Sequence, residues 1–173
     1  KSITNHDTLE MAISGNEVIE LIIQNQAKKS SSKFTLKLLD INEDILESPD
    51  LETNVITTLS SVDFQRICRD MGNLSNEIDI FRDGDKLELS CLGDFANQST
   101  SIECPETWDT RVGNTFSLKY INLFTKATGM CSSVQIMQHE DDNLMPIIFR
   151  YSIANLGEMK FYLAPKVGDE LKD

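Results

Sequence analysis

The sequence predicts an α+β fold built from a duplicated strand–helix–three-strand unit, and three observations point to it. Short runs suited to strands recur along the chain between turn signals. Two stretches carry the apolar spacing of amphipathic helices. The order of these elements then repeats, as expected when one supersecondary unit is duplicated.

From the N-terminus, Thr8–Ser14, Glu17–Gln24 and Lys33–Leu39 read as strands, the first pair joined by a tight turn at Gly15-Asn16. Asp40–Asn54 is acidic, contains Pro49 and shows weak periodicity, so it reads as a linker crossing between two domains. The first full unit opens with the extended run Val55–Leu59. Ser60-Ser61 then gives a helix-start signal, and Phe64, Ile67, Cys68 and Met71 recur at i, i+3, i+4 and i+7. Ile78–Phe81 and Lys86–Leu92 are predicted as a hairpin across Asp83-Gly84, and Ser99–Cys104 as a third strand.

The second unit repeats that order. Val112–Leu118 reads as a strand leading into a helix over Lys119–Ala127, with Thr128-Gly129 as its stop. Val134–His139, Pro146–Ile153 and Met159–Leu163 follow as strands, broken at Asp141-Asp142-Asn143 and at Leu156-Gly157. The first three strands of the chain match the end of a further unit whose own strand and helix are absent. The expected division is residues 1–39 as the closing strands of a first domain, 40–54 as linker and 55–173 as a second domain.

A chain of 173 residues suits one domain or one and a fraction. With Lys at position 1, the sequence reads as a fragment or a processed chain. No run approaches the ~20 apolar residues needed to cross a bilayer, and no signal-peptide pattern is present, so no membrane partner is expected. Cys68, Cys91, Cys104 and Cys131 form no CxxC pair, and His6 and His139 are the only histidines. No metal or other cofactor is therefore expected. The even count could hide a disulfide framework, but each cysteine lies in or beside an apolar run, so the cysteines read as buried free thiols in a reducing compartment.

A formal net charge of −12 argues against nucleic acid if only the sum is considered. Position matters more. In the first predicted helix Arg66 and Arg69 lie off the apolar face, balanced by Asp63 and Asp70. In the second, Lys119, Asn122 and Lys126 form a polar stripe opposite Tyr120, Ile121 and Phe124 and give that helix +2, which leaves −14 for the rest of the chain. An acidic chain that gathers cations on two equivalent helices can present a local anion-binding surface; a solvated helix face explains the same charges.

Three stretches carry a resemblance to a known family. Phe64-Gln65-Arg66-Ile67-Cys68-Arg69-Asp70, Lys119-Tyr120-Ile121-Asn122-Leu123-Phe124-Thr125-Lys126-Ala127-Thr128 and Tyr162-Leu163-Ala164-Pro165-Lys166 closely resemble the eukaryotic-type DNA sliding-clamp family, that of proliferating cell nuclear antigen (PCNA), and Lys37-Leu38-Leu39-Asp40 matches it too. The resemblance implies the DNA-clamp fold, with two similar domains per chain closed head to tail into a homotrimeric ring when full length, antiparallel sheets outside and helices lining the hole. It also implies that most of the first domain is missing from this sequence. Arg66, Arg69, Lys119 and Lys126 would then face duplex DNA, touching phosphates without reading sequence. Leu46 on the linker, Pro146, Tyr162, Leu163, Ala164 and Pro165 would receive partner proteins: DNA polymerase, the clamp loader and others bearing a clamp-binding peptide. Ring closure would pair an edge at Lys33–Leu38 with one at Ser99–Cys104.

The chain also departs from the family. Glu47 and Ser48 stand where the family linker carries Gly and Ile before its Pro, and Ile45 replaces a polar residue, which implies an altered partner groove. Arg82 occupies the place of the family's modifiable lysine, in a hairpin shortened by about two residues, and arginine cannot accept ubiquitin. The loop holding Trp108 is shorter as well. Such divergence suits a virus-encoded or protist clamp, acting in a nucleus or at a viral replication site. A checkpoint-type clamp subunit would share the ring, although Ala164-Pro165-Lys166 favours the replication and repair form. A small hydrolase would need Cys68 or Cys131 beside His139, or the carboxylates Glu140-Asp141-Asp142; a thiol nucleophile needs an oriented base, and these residues fall on an apolar helix face and in a turn. No enzymatic activity is expected.

Overall fold

Leu9, Met11 and Ile13 recur at every second position in the first strand, as do Phe34 and Leu36 in the third. In the computed structural model, which describes residues 3–4, 6–15, 17–39, 51, 53–140 and 144–166, β1 (Asp7–Ser14), β2 (Val18–Asn25) and β3 (Ser30–Lys37) form an antiparallel sheet in that order. Gly15 takes a φ of 65° in the β1–β2 turn, a conformation that suits a residue without Cβ. Met11, Ile13 and Leu36 are exposed on β1 and β3. This sheet lies in one compact unit, Lys1–Pro49, and the remaining elements lie in a second, Asp50–Asp173. Most of the predicted linker, including Ile45, Leu46, Glu47 and Ser48, falls outside the described residues, as does the predicted turn at residues 141–143.

The second unit begins with β4 (Val55–Ser60), whose Val55, Thr57 and Leu59 point inward in strict alternation. Ser60 caps α1 (Ser61–Met71), its hydroxyl accepting from the Asp63 amide at 3.4 Å. Phe64, Ile67, Cys68 and Met71 form the buried stripe of α1, as their spacing predicts.

Beyond α1 the structure departs from the predicted hairpin. Asp83-Gly84 is not a turn: β5 runs unbroken from Glu77 to Leu92 with Gly84 at φ 55°, and the register shifts there because the extra residues lie on the partner strand, where Arg82 to Lys86 face Val112 to Glu103. The chain reverses instead at Gly93–Ala96, where the Gly93 amide bonds the Ala96 carbonyl at 3.1 Å. The predicted strands Ser99–Cys104 and Val112–Leu118 are likewise two stretches of one strand, β6 (Asn97–Ser117), except that Leu118 opens the following helix. Glu77–Arg82 pairs with Val112–Ser117 and Lys86–Leu92 with Asn97–Glu103, so both halves of β5 are held by a single partner. Asp83-Gly84 therefore stays within the strand, and the irregularity is taken up on β6 between Glu103 and Val112.

The second predicted helix is also shorter. α2 spans Leu118–Phe124, and a 3₁₀ segment continues it over Thr125–Met130. Then β7 (Ser133–Gln138), β8 (Ile147–Ile153) and β9 (Gly157–Leu163) join β4 in an antiparallel sheet of order β4-β7-β8-β9. One core holds this unit together, with Phe64 and Met71 of α1, Ile80 and Leu89 of β5, Leu118 and Ile121 of α2 and Phe149 and Tyr151 of β8 all buried in it. The cysteines are free; Cys68 and Cys91 are buried, whereas Cys104 and Cys131 are only half-buried, contrary to the expectation of four buried thiols.

Candidate functional site

Because α1 and α2 bury one face each in the same core, their opposite faces are left to solvent. Arg66 and Arg69 project from α1 with side chains 60% and 68% exposed. Neither is a bare cation. Arg66 Nη2 donates to Asp63 Oδ1 at 2.9 Å, and Arg69 Nε lies 3.6 Å from Asp70 Oδ1. The Arg66 hydrogen bond, aided by the Ser60 hydroxyl, holds the Asp63 carboxyl below its ordinary range. Lys119 on α2 and Lys126 on the 3₁₀ segment are exposed and make no ion pair among the described residues. The Lys119 ammonium lies 5.9 Å from the Tyr120 ring centroid, a weak cation–π contact at most.

The predicted polar stripe on α2 needs correcting. Asn122 does not share it, for its amide turns inward and donates to the Cys68 carbonyl on α1 at 3.3 Å. Gln65 on α1 returns the tie, donating to the Thr125 carbonyl at the end of α2 at 2.7 Å. Tyr120, expected on the apolar face, is 49% exposed. The two crossed amide bonds tie α1 to the α2 and 3₁₀ segment, the elements that carry the four cations. Periodicity could not have found them, since Gln65 and Asn122 read as solvated polar residues. Gly72 leaves room for the Asn122 amide: a Cβ there would lie 2.7 Å from Asn122 Nδ2.

A second group gathers at the end of the β8–β9 ladder. Ile147 pairs with Leu163, which sets Pro146 beside Ala164 at the strand ends. Tyr162 and Leu163 are both half-buried, Ala164 is exposed and Pro165 is buried. The segment is anchored from beyond Pro165, where the Lys166 amide donates to the Thr115 carbonyl at 2.9 Å and the Lys166 ammonium pairs with the Glu77 carboxylate. Pro146 also borders a hollow of about 20 Å³ shared with Met145, Phe116, Gln138 and His139, room for one water-sized group. Leu144 and Met145, which sequence reasoning passed over, present exposed apolar side chains next to Pro146. The structure thus brings together five of the six expected partner residues, and Leu46 lies outside the described ones.

The family model for the C-terminal domain of proliferating cell nuclear antigen matches residues 47–166. The chain belongs to the PCNA family. Two curated relatives place it more closely. The probable DNA polymerase sliding clamp 1 of Paramecium bursaria Chlorella virus 1 is 36% identical over 177 residues, covering 95% of this chain and 66% of the relative. The proliferating cell nuclear antigen of Chaetomium thermophilum is 32% identical over 178 residues, covering 96% and 68%. The chain therefore spans about two thirds of the length of the curated relatives it matches. Its mostly antiparallel architecture is that of the PCNA family's DNA-clamp fold.

Of the residues weighed for hydrolysis, Cys68 and Glu140 are otherwise accounted for, and Asp141 and Asp142 lie outside the described residues. Burial pushes the Cys68 thiol well above its usual range, which keeps it protonated and unreactive at neutral pH. The Glu140 carboxylate accepts from Asn54 at 3.0 Å and Thr110 at 3.4 Å, tying the start of β4 to the end of β7. Among the described residues no group of three or more His, Cys, Asp or Glu could hold a metal ion.

Proposed function

We propose that this chain is part of a DNA sliding clamp, a non-catalytic processivity factor that encircles duplex DNA and tethers replication and repair proteins to it. The observation that carries this reading is the tied pair α1–α2, which presents Arg66, Arg69, Lys119 and Lys126 from one core in a chain otherwise strongly acidic. Contacts of this kind fall on phosphates and carry no sequence information, as a ring that slides requires. Residues 1–39 and 55–173 are read as parts of two successive clamp domains joined by 40–54, the full-length protein forming a homotrimer. The free edge of β6 at Ser99–Cys104, which pairs only with β5 among the described residues, suits head-to-tail closure. Pro146 and Tyr162 to Pro165, with Leu46, are the proposed receptor for clamp-binding peptides of the DNA polymerase, the clamp loader and other partners. The setting is a nucleus or a viral replication site, in keeping with relatives from a virus and a eukaryote.

The test is retention on DNA. Changing Arg66, Arg69, Lys119 and Lys126 to Ala should weaken binding to duplexes of any sequence. The salt dependence should become shallower by roughly one phosphate equivalent for each cation removed. Retention equal to wild type in the quadruple variant would remove this face from DNA binding.

A further inference from the structure

The four cations are not equivalent. Those of α1 are each matched by a carboxylate of the same helix, Asp63 for Arg66 and Asp70 for Arg69, while Lys119 and Lys126 have no such partner among the described residues. All four α1 side chains are at least half exposed, so these pairs sit in high dielectric and are held weakly. The separations of 2.9 and 3.6 Å nevertheless fall well inside the ~8 Å screening length at physiological salt, so an approaching phosphate meets a largely neutralised pair.

We propose that Asp63 and Asp70 are built-in competitors for DNA phosphate, which keep the arginine half of the interface in exchange between the protein's own carboxylates and the backbone of the duplex. Arginine suits that exchange, because its planar fork carries five N–H donors and Arg66 commits one to Asp63, so a phosphate can be taken up before the carboxylate is released. The lysines supply uncompensated attraction, and the arginines supply contacts without a deep minimum. A surface of this kind holds a duplex without locking to any one set of phosphates. The inference rests on the reading of α1 and α2 as the DNA-facing surface.

The experiment measures binding of the purified chain to a short fluorescent duplex across a salt series, for wild type, Asp63→Asn with Asp70→Asn, the quadruple alanine variant, and Glu88→Gln with Glu158→Gln. The last removes two ion-paired carboxylates carried on β5 and β9, and so controls for net charge alone. The aspartate variant should bind roughly tenfold tighter at low salt, with a salt slope steeper by about two phosphate equivalents, while the glutamine control stays near wild type. Damage to the fold would not tighten binding. An aspartate variant with wild-type affinity and slope, alongside weakened binding in the quadruple variant, would overturn the proposal and leave the DNA-facing reading intact. Equal tightening in the glutamine control would overturn it as well, since net charge would then be the cause. Wild-type binding by the quadruple variant would overturn both.

Discussion

Phe64 of α1 and Phe149 of β8 stack with ring centroids 5.5 Å apart and planes inclined by 25°. The contact is the first of a chain of rings: Phe124 lies 6.0 Å from Phe149 and stacks on Phe161 at 4.7 Å, and Tyr151 meets Phe161 edge-on at 5.9 Å. These rings join α1, α2 and the β8–β9 hairpin, so the helical face and the C-terminal strand share one aromatic seam.

Phe149→Ala should therefore destabilise the unit by about 3–5 kcal/mol, the usual cost of removing a fully buried ring and leaving a cavity. Denaturant unfolding measures it. A loss below about 1 kcal/mol would mean that the seam does not hold the helices.

Two glycines of the β5–β6 ribbon should respond differently. A Cβ at Gly113, whose φ is 151°, would lie 2.0 Å from the Ile80 carbonyl oxygen and 2.7 Å from the Phe81 Cα, so backbone would have to move. Gly84, at φ 55°, faces open space. Gly84→Ala should cost only the strain of a left-handed residue, about 1–2 kcal/mol, while Gly113→Ala should cost clearly more. Thermal unfolding of the two variants ranks them, and the reverse order would contradict the packing described.

Arg82 is 3% exposed, and its guanidinium donates to two main-chain carbonyls, to Gly84 at 2.9 Å and to Glu106 across the bulge. An ammonium lacks the planar fork that reaches both. Arg82→Lys should destabilise by about 2 kcal/mol and lower protection of the amides around Gly84 in hydrogen exchange. Unchanged protection would show that the bulge is held by the ladder alone.

The proposed partner surface is tested with a peptide carrying one aliphatic and two aromatic anchors, the kind the family resemblance implies. Leu46→Ala and Pro165→Ala should each weaken its binding by about 2 kcal/mol, or roughly thirtyfold, by calorimetry. Because Pro165 is buried within its own unit, its variant is read alongside its unfolding midpoint. Glu47→Gly with Ser48→Ile should tighten binding if the present linker is a weakened form. Wild-type affinity in Leu46→Ala would remove that residue from the partner surface.

What the sequence determined by itself are the features that depend on neighbours a few residues away. The stripe Phe64–Ile67–Cys68–Met71 with its Ser60 cap specifies α1 and, by exclusion, turns Arg66 and Arg69 outward. Alternation specifies β4 and β7 in the same way. The resemblance of three short stretches then named the family without any geometry. Only the tertiary structure decided the rest, because the deciding groups are far apart in sequence. Asp83-Gly84 can turn or stay within a strand; it stays in the strand because Arg82 pairs with Val112 and Gly84 with Trp108 on a strand that continues past both. Asn122 can face solvent or protein, and it turns inward where Gly72, some fifty residues earlier, leaves room for its amide beside the Cys68 carbonyl. Local propensity offers each such residue two states of similar energy, and a long-range hydrogen bond or ladder selects between them.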